Sequence, residues 1–131
     1  MLVKSKIIKT KTSEIWIDDR GILNLKTYEG AELNYEEVKN CFDVYRELGI
    51  GSTNKVLQLI SSKDNFNITK EGREYAAKYG KDFFIASAVV TDNLAVRLLA
   101  NFFRNFYKFI VPFKIFESEG KAVDWLLRYR K

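Results

Sequence analysis

The residues equipped for chemistry are few, and the missing ones narrow the possibilities first. The 131-residue chain has no histidine and one cysteine, so zinc, haem and iron–sulfur sites lack their usual ligands. No cofactor or metal is expected. A Ser–His or Cys–His nucleophile pair lacks its base. Asp18 and Asp19 are adjacent acids of the kind that hold magnesium, but they precede Arg20-Gly21, where acids commonly hydrogen-bond a turn. A solvated turn is the expectation there. Cys41 sits beside Phe42 and three residues after Val38, the setting of a structural thiol. Gly49 and Gly51 follow a helical pattern and do not join a strand to a helix, so they are no phosphate-binding loop. These absences point away from an enzyme.

The net charge of +5 is dispersed. Residues 1–13 carry four lysines and no acid, residues 14–50 sum to −5, and the remainder sums to +6. A nucleic-acid surface would concentrate Lys and Arg on one strip, so a nucleic-acid partner is not expected. There is no signal-peptide core and no apolar run of about 18 residues, which makes a cytoplasmic protein without a transmembrane segment the expectation. The length suits one domain spanning 1–131.

The elements that must position these residues follow in order. Residues 1–13 suit an edge strand or an exposed arm, with weak strand character at Ile7 and Ile8. Glu14–Ile17 and Ile22–Leu25, bracketing Asp19–Gly21, predict a β-hairpin. Asn34-x-x-Glu37 is a capping box opening a helix over 35–48, with a stop at Gly49. Lys55–Ile60 reads as a buried strand. A polar loop follows, then a helix over 70–79 capped by Thr69, with Gly72 weakening its first turn. The stretch DFFIASAVV is apolar on both alternating sets and suits a central strand, with small Ala86, Ser87 and Ala88 under a closely packed helix. A helix over 92–108 capped by Thr91, an extended PFKIF after Pro112, and a last helix capped by Ser118 with Trp125 and Leu126 buried complete the chain. The fold class is α/β: a mixed sheet with an N-terminal β-hairpin followed by α-β-α-β-α-β-α.

The 92–108 helix carries more apolar surface than one sheet face requires. Arg97, Asn101, Arg104 and Lys108 make one polar stripe, while Val96, Ala100, Phe103 and Tyr107 form a second apolar stripe beside the main one. That stripe predicts a homodimer contact. Alternatively, Phe102 and Phe106, with Phe83, Phe84, Phe103 and Phe109, line an apolar cavity.

The stretches IWIDDRGILNL, REYAAKYG, AVVTDNLAVRLLANFF and FKIFESEGKAVDWLL together resemble the STAS-like (SpoIIAA-like) bacterial proteins, in particular their small uncharacterised single-domain branch. The resemblance covers roughly residues 14–128. It implies a mixed sheet surrounded by helices and a non-enzymatic regulatory role. Anti-anti-sigma members carry a phosphoacceptor serine in an Asp-Ser-Ser-Gly motif; the matching stretch here is Asn67-Ile68-Thr69-Lys70, in which Thr69 supplies only the hydroxyl. The functional expectation is a self-associating regulatory or protein-interaction module, with any other protein partner unidentified. The alternative is a binder or carrier of an apolar small molecule or lipid in a cavity beside the 92–108 helix.

Overall fold

A computed structural model describes residues 4–62, 67–91 and 111–130. The hairpin forms as expected. Strands β2 (Ser13–Ile17) and β3 (Leu23–Thr27) pair antiparallel, with Ile17 opposite Leu23. The Asp18–Gly21 turn between them places Gly21 at φ +76°, a left-handed conformation that disfavours a side chain. The N-terminal arm supplies a two-residue edge strand, β1 (Ile8–Lys9), antiparallel to β2.

Beyond the hairpin the sheet turns parallel. β5 (Val56–Ser62), β7 (Phe84–Val90) and β8 (Phe113–Phe116) follow β3, giving the order β1-β2-β3-β5-β7-β8. Helix α1 (Tyr35–Glu47) connects β3 to β5, and α2 (Lys70–Tyr79) connects β5 to β7. The last helix, α3 (Glu119–Leu127), follows β8. The expected 92–108 helix lies outside the described residues.

The sheet separates two unlike cores. On one face, α1 and α2 cover Ile15, Ile17, Leu23, Leu25, Val56 and Phe84, with Phe42 at the hub of an aromatic cluster. Its ring centroid lies 5.1 Å from that of Tyr45, 5.2 Å from Tyr75 and 5.0 Å from Phe83, in tilted and edge-on arrangements favoured by ring quadrupoles. On the other face, α3 sets Ala122, Val123 and Leu126 against Ile22, Leu57, Leu59, Ala86 and Ala88. Alanines on both sides permit that close approach.

Two expectations change. Trp125 is half-buried where full burial was expected, while Leu126 is completely buried. The Trp125 ring packs on Phe116 at 5.7 Å and Tyr129 at 5.0 Å. Since β8 is the last strand of the sheet, the ring is left at its margin. The polar loop before α2 also contains a strand, β6 (Asn67–Ile68), which pairs parallel with β4 (Glu32–Leu33) in a separate two-stranded ribbon. This ribbon explains Gly72: a Cβ there would lie 2.6 Å from the Leu33 carbonyl oxygen and 3.0 Å from Val38. The glycine costs helix propensity and allows α2 to dock.

Candidate functional site

The site begins with an irregularity in β7. Val56 pairs with Phe84, but Leu57 pairs with Ala86, so Ile85 is an extra residue in the ladder. Such a bulge resets which side chains face which way. Phe84 faces α1 and α2, and after the extra residue Ser87 does too, opposite Gln58. A regular ladder would instead turn Ser87 toward α3. Ser87 therefore belongs to the opposite face from the helix-packing alanines with which the sequence grouped it, and Ile85 is left 40% exposed.

Gln58 and Ser87 form the polar floor of a cavity of about 130 Å³ between α1, α2 and the sheet. The Ser87 hydroxyl donates to Gln58 Oε1 at 2.8 Å, and Gln58 Nε2 donates to the Tyr45 hydroxyl at 3.4 Å. All three residues are buried. The walls are apolar, with Leu25, Val38, Phe42 and Phe84 deep inside. Ala76, Ala77, Val111 and Phe113, which are half-buried, form a shallower rim together with exposed Lys81.

Electrostatics leave this cavity without an activated nucleophile or base among its described lining. Burial, reinforced by the negative charge of Glu37, pushes the Cys41 thiol up to about 12, despite a hydrogen bond with Ser13. Burial likewise pushes the Tyr45 phenol well above its ordinary value. Both stay neutral at physiological pH. Cys41 lies buried in the α1–α2 core. Among the described residues no cluster of three metal-ligating side chains forms.

The remaining candidates resolve into local structure. Asp18 holds the hairpin turn: its carboxylate accepts from the backbone N–H groups of Arg20 and Ile22 at 2.8 and 3.1 Å, and from Asn24 Nδ2 at 2.9 Å. The Arg20 guanidinium adds a contact at 2.6 Å, and Asp19 points outward to Lys4 at 3.3 Å. Thr69 caps α2, its hydroxyl oxygen accepting from Gly72 N at 3.1 Å. Half of the predicted capping box on α1 forms: Asn34 Oδ1 accepts from Glu37 N at 2.9 Å. The Glu37 carboxylate does not return the bond, and one of its buried oxygens has no hydrogen-bond partner. Of the predicted aromatic cavity set, Phe84 lines this cavity and Phe83 packs in the adjoining core. Val96, Ala100, Phe102, Phe103, Phe106 and Tyr107 lie outside the described residues. Tyr45, Gln58 and Ser87 were not singled out as site residues from sequence; the available signal was Gln58, the lone amide in the apolar run KVLQLI.

A family described as a domain of unknown function (DUF7793) matches residues 15–130. The chain belongs to this family. The fold is similar to that of the crystal structure of an uncharacterised protein of the DUF3478 family, with a SpoIIAA-like fold, from Shewanella loihica PV-4. That similarity has a TM-score of 0.59 at 17% sequence identity, and covers 96% of this chain and 95% of the other. At this identity the likeness concerns the fold, and it agrees with the SpoIIAA-like architecture read from the sequence. No curated protein matches the chain. Among the described residues no helix is long and apolar enough to cross a membrane.

Proposed function

We propose that this DUF7793 domain is a non-enzymatic binding module that takes a compact apolar ligand between α1, α2 and the sheet. The observation carrying this reading is the cavity itself, with its apolar walls closing on one short polar chain. Binding sites commonly combine such walls with a few placed polar groups. Its volume of about 130 Å³ compares with the roughly 150 Å³ of an engineered apolar cavity that binds benzene. It therefore suits a single ring or a short branched chain, alone or as the inserted end of a larger molecule. The neutral Cys41 and Tyr45 support binding without turnover, because neither offers the base or nucleophile that catalysis requires. A cytoplasmic setting fits the lone buried thiol.

Toluene tests the site. It should raise the thermal midpoint of the wild type in a saturable manner, and Ala76→Phe, which fills the rim, should abolish the rise while preserving the circular dichroism spectrum. No stabilisation of the wild type up to the solubility limit of toluene would overturn the proposal. The competing reading, a self-associating regulatory module, draws on the apolar stripe Val96, Ala100, Phe103 and Tyr107. It expects a dimer at tens of micromolar by light scattering and a folded monomer for Phe103→Glu. A monomeric wild type would remove it.

A further inference from the structure

The polar floor of the cavity has more to give than its own hydrogen bonds consume. Tyr45 and Ser87 each carry one hydroxyl proton and Gln58 carries two amide protons, four donors in all, yet only two hydrogen bonds join the three residues. Turning the amide over does not change the balance. In one orientation the Tyr45 hydroxyl and one Gln58 N–H are unspent; in the other, the Ser87 hydroxyl and one Gln58 N–H. Either way an amide proton and a hydroxyl proton remain on a floor whose three residues are buried among Leu25, Phe42 and Phe84. Buried donors in such surroundings are stabilised by a matching acceptor.

We infer that the ligand is a compact neutral carbonyl compound, such as a ketone, ester or amide, inserted with its carbonyl oxygen toward Gln58. This rests on the cavity being a ligand site and names the chemistry of its occupant. Neutrality follows from the described lining, where Lys81 is the one charged residue and lies exposed at the rim. A carboxylate carried to the floor would lose its hydration with no buried cation among the described lining to replace it. A carbonyl oxygen, an acceptor with two lone pairs and no donor of its own, matches the two unspent protons without that cost.

The test compares three probes of similar size by ligand-observed NMR and thermal shift: cyclohexanone, its hydrocarbon isostere methylenecyclohexane, and cyclohexanecarboxylate. Cyclohexanone should bind the wild type about three- to tenfold more tightly than the isostere, the range for one net hydrogen bond, and the carboxylate should bind weakest. Gln58→Leu, which removes the amide toward which the carbonyl is directed and leaves only the two hydroxyls, should reduce the preference for the ketone while keeping binding of the isostere. Gln58→Met, which keeps the chain length and removes the amide, is the second variant should Gln58→Leu fail to fold, and it should reduce the preference likewise. Equal affinity of ketone and isostere for the wild type would overturn the inference and leave the cavity as an apolar site. Carboxylate binding as tight as that of the ketone would overturn the neutrality argument. Failure of all three probes would overturn the binding reading along with the inference.

Discussion

The two faces of the central sheet use opposite packing strategies. Under α3, small residues are fully buried and helix and strands approach closely, with Ala86, Ala88 and Ala122 all at zero exposure. Under α1 and α2, large rings meet edge to face and leave a cavity with an amide and hydroxyls at its base. Small residues interdigitate and leave little space, whereas rigid aromatic rings fill volume in fewer, coarser pieces. A one-residue bulge at Ile85 lets a single strand serve both strategies, giving alanines to one side and Ser87 to the other. On this account both faces hold the fold, and the α1–α2 face also provides the proposed site.

The sharpest way to break that contrast is at the aromatic hub. Phe42→Ala should cost about 3–5 kcal/mol, the range for deleting a large buried ring, because Phe42 contacts Tyr45, Tyr75, Phe83 and Phe84 at once. Urea titration measures it, and a loss below about 1 kcal/mol would show that the cluster is loosely held. On the α3 face, Leu126→Ala should cost about 2–5 kcal/mol and exceed the cost of Trp125→Ala, since the leucine is enclosed and the indole half-open. The reverse order would mean that the margin of the sheet is better covered than the packing indicates.

Gly72→Ala sharpens the comparison at the junction of α2 with the β4–β6 ribbon. At an open helical position this change stabilises by about 1 kcal/mol through propensity. Here the added methyl would meet the Leu33 carbonyl, so the expected result is destabilisation of about 1–3 kcal/mol, typical of overpacking. A stabilised variant would mean that the ribbon yields easily.

The smallest effect concerns Asp18, outside both cores. Burial raises its pKa, but the hydrogen bonds from Arg20, Asn24 and the Ile22 and Arg20 backbone outweigh it and hold the carboxyl below its ordinary 3.8. A depressed folded pKa means that the unfolded chain binds more protons in that range. The stabilisation is complete above the unfolded value and is lost as pH falls through the folded one. Asp18→Asn should therefore flatten the dependence of stability on pH below about 4. An unchanged slope in acid urea titrations would contradict the hydrogen-bonded turn.

Much of this arrangement is written in local signals. The Asp18–Gly21 turn, the Asn34, Thr69 and Ser118 caps and the extended start imposed by Pro112 on the following strand each act over a few residues and mark element boundaries correctly. The two-residue strands β4 and β6 are too short to show a period and depend on each other across the fold. The bulge is hidden because FFIASAVV is apolar on both alternating sets, so nothing along the chain shows where the alternation resets. Trp125 looked like core by residue type, but its exposure is decided by the sheet ending at β8. The cavity is a property of packing between three elements; along the chain its signals were Phe84 in the aromatic set and Gln58, the lone amide of an apolar run.

The most direct test of the central claim is an amide-resolved NMR titration of the wild-type protein with cyclohexanone. The account predicts saturable shifts concentrated on α1, α2 and the Val56–Ile60 and Phe84–Val89 segments, with α3 quiet. Scattered, non-saturating changes, or shifts centred on α3, would contradict the assignment of the site to the α1–α2 face.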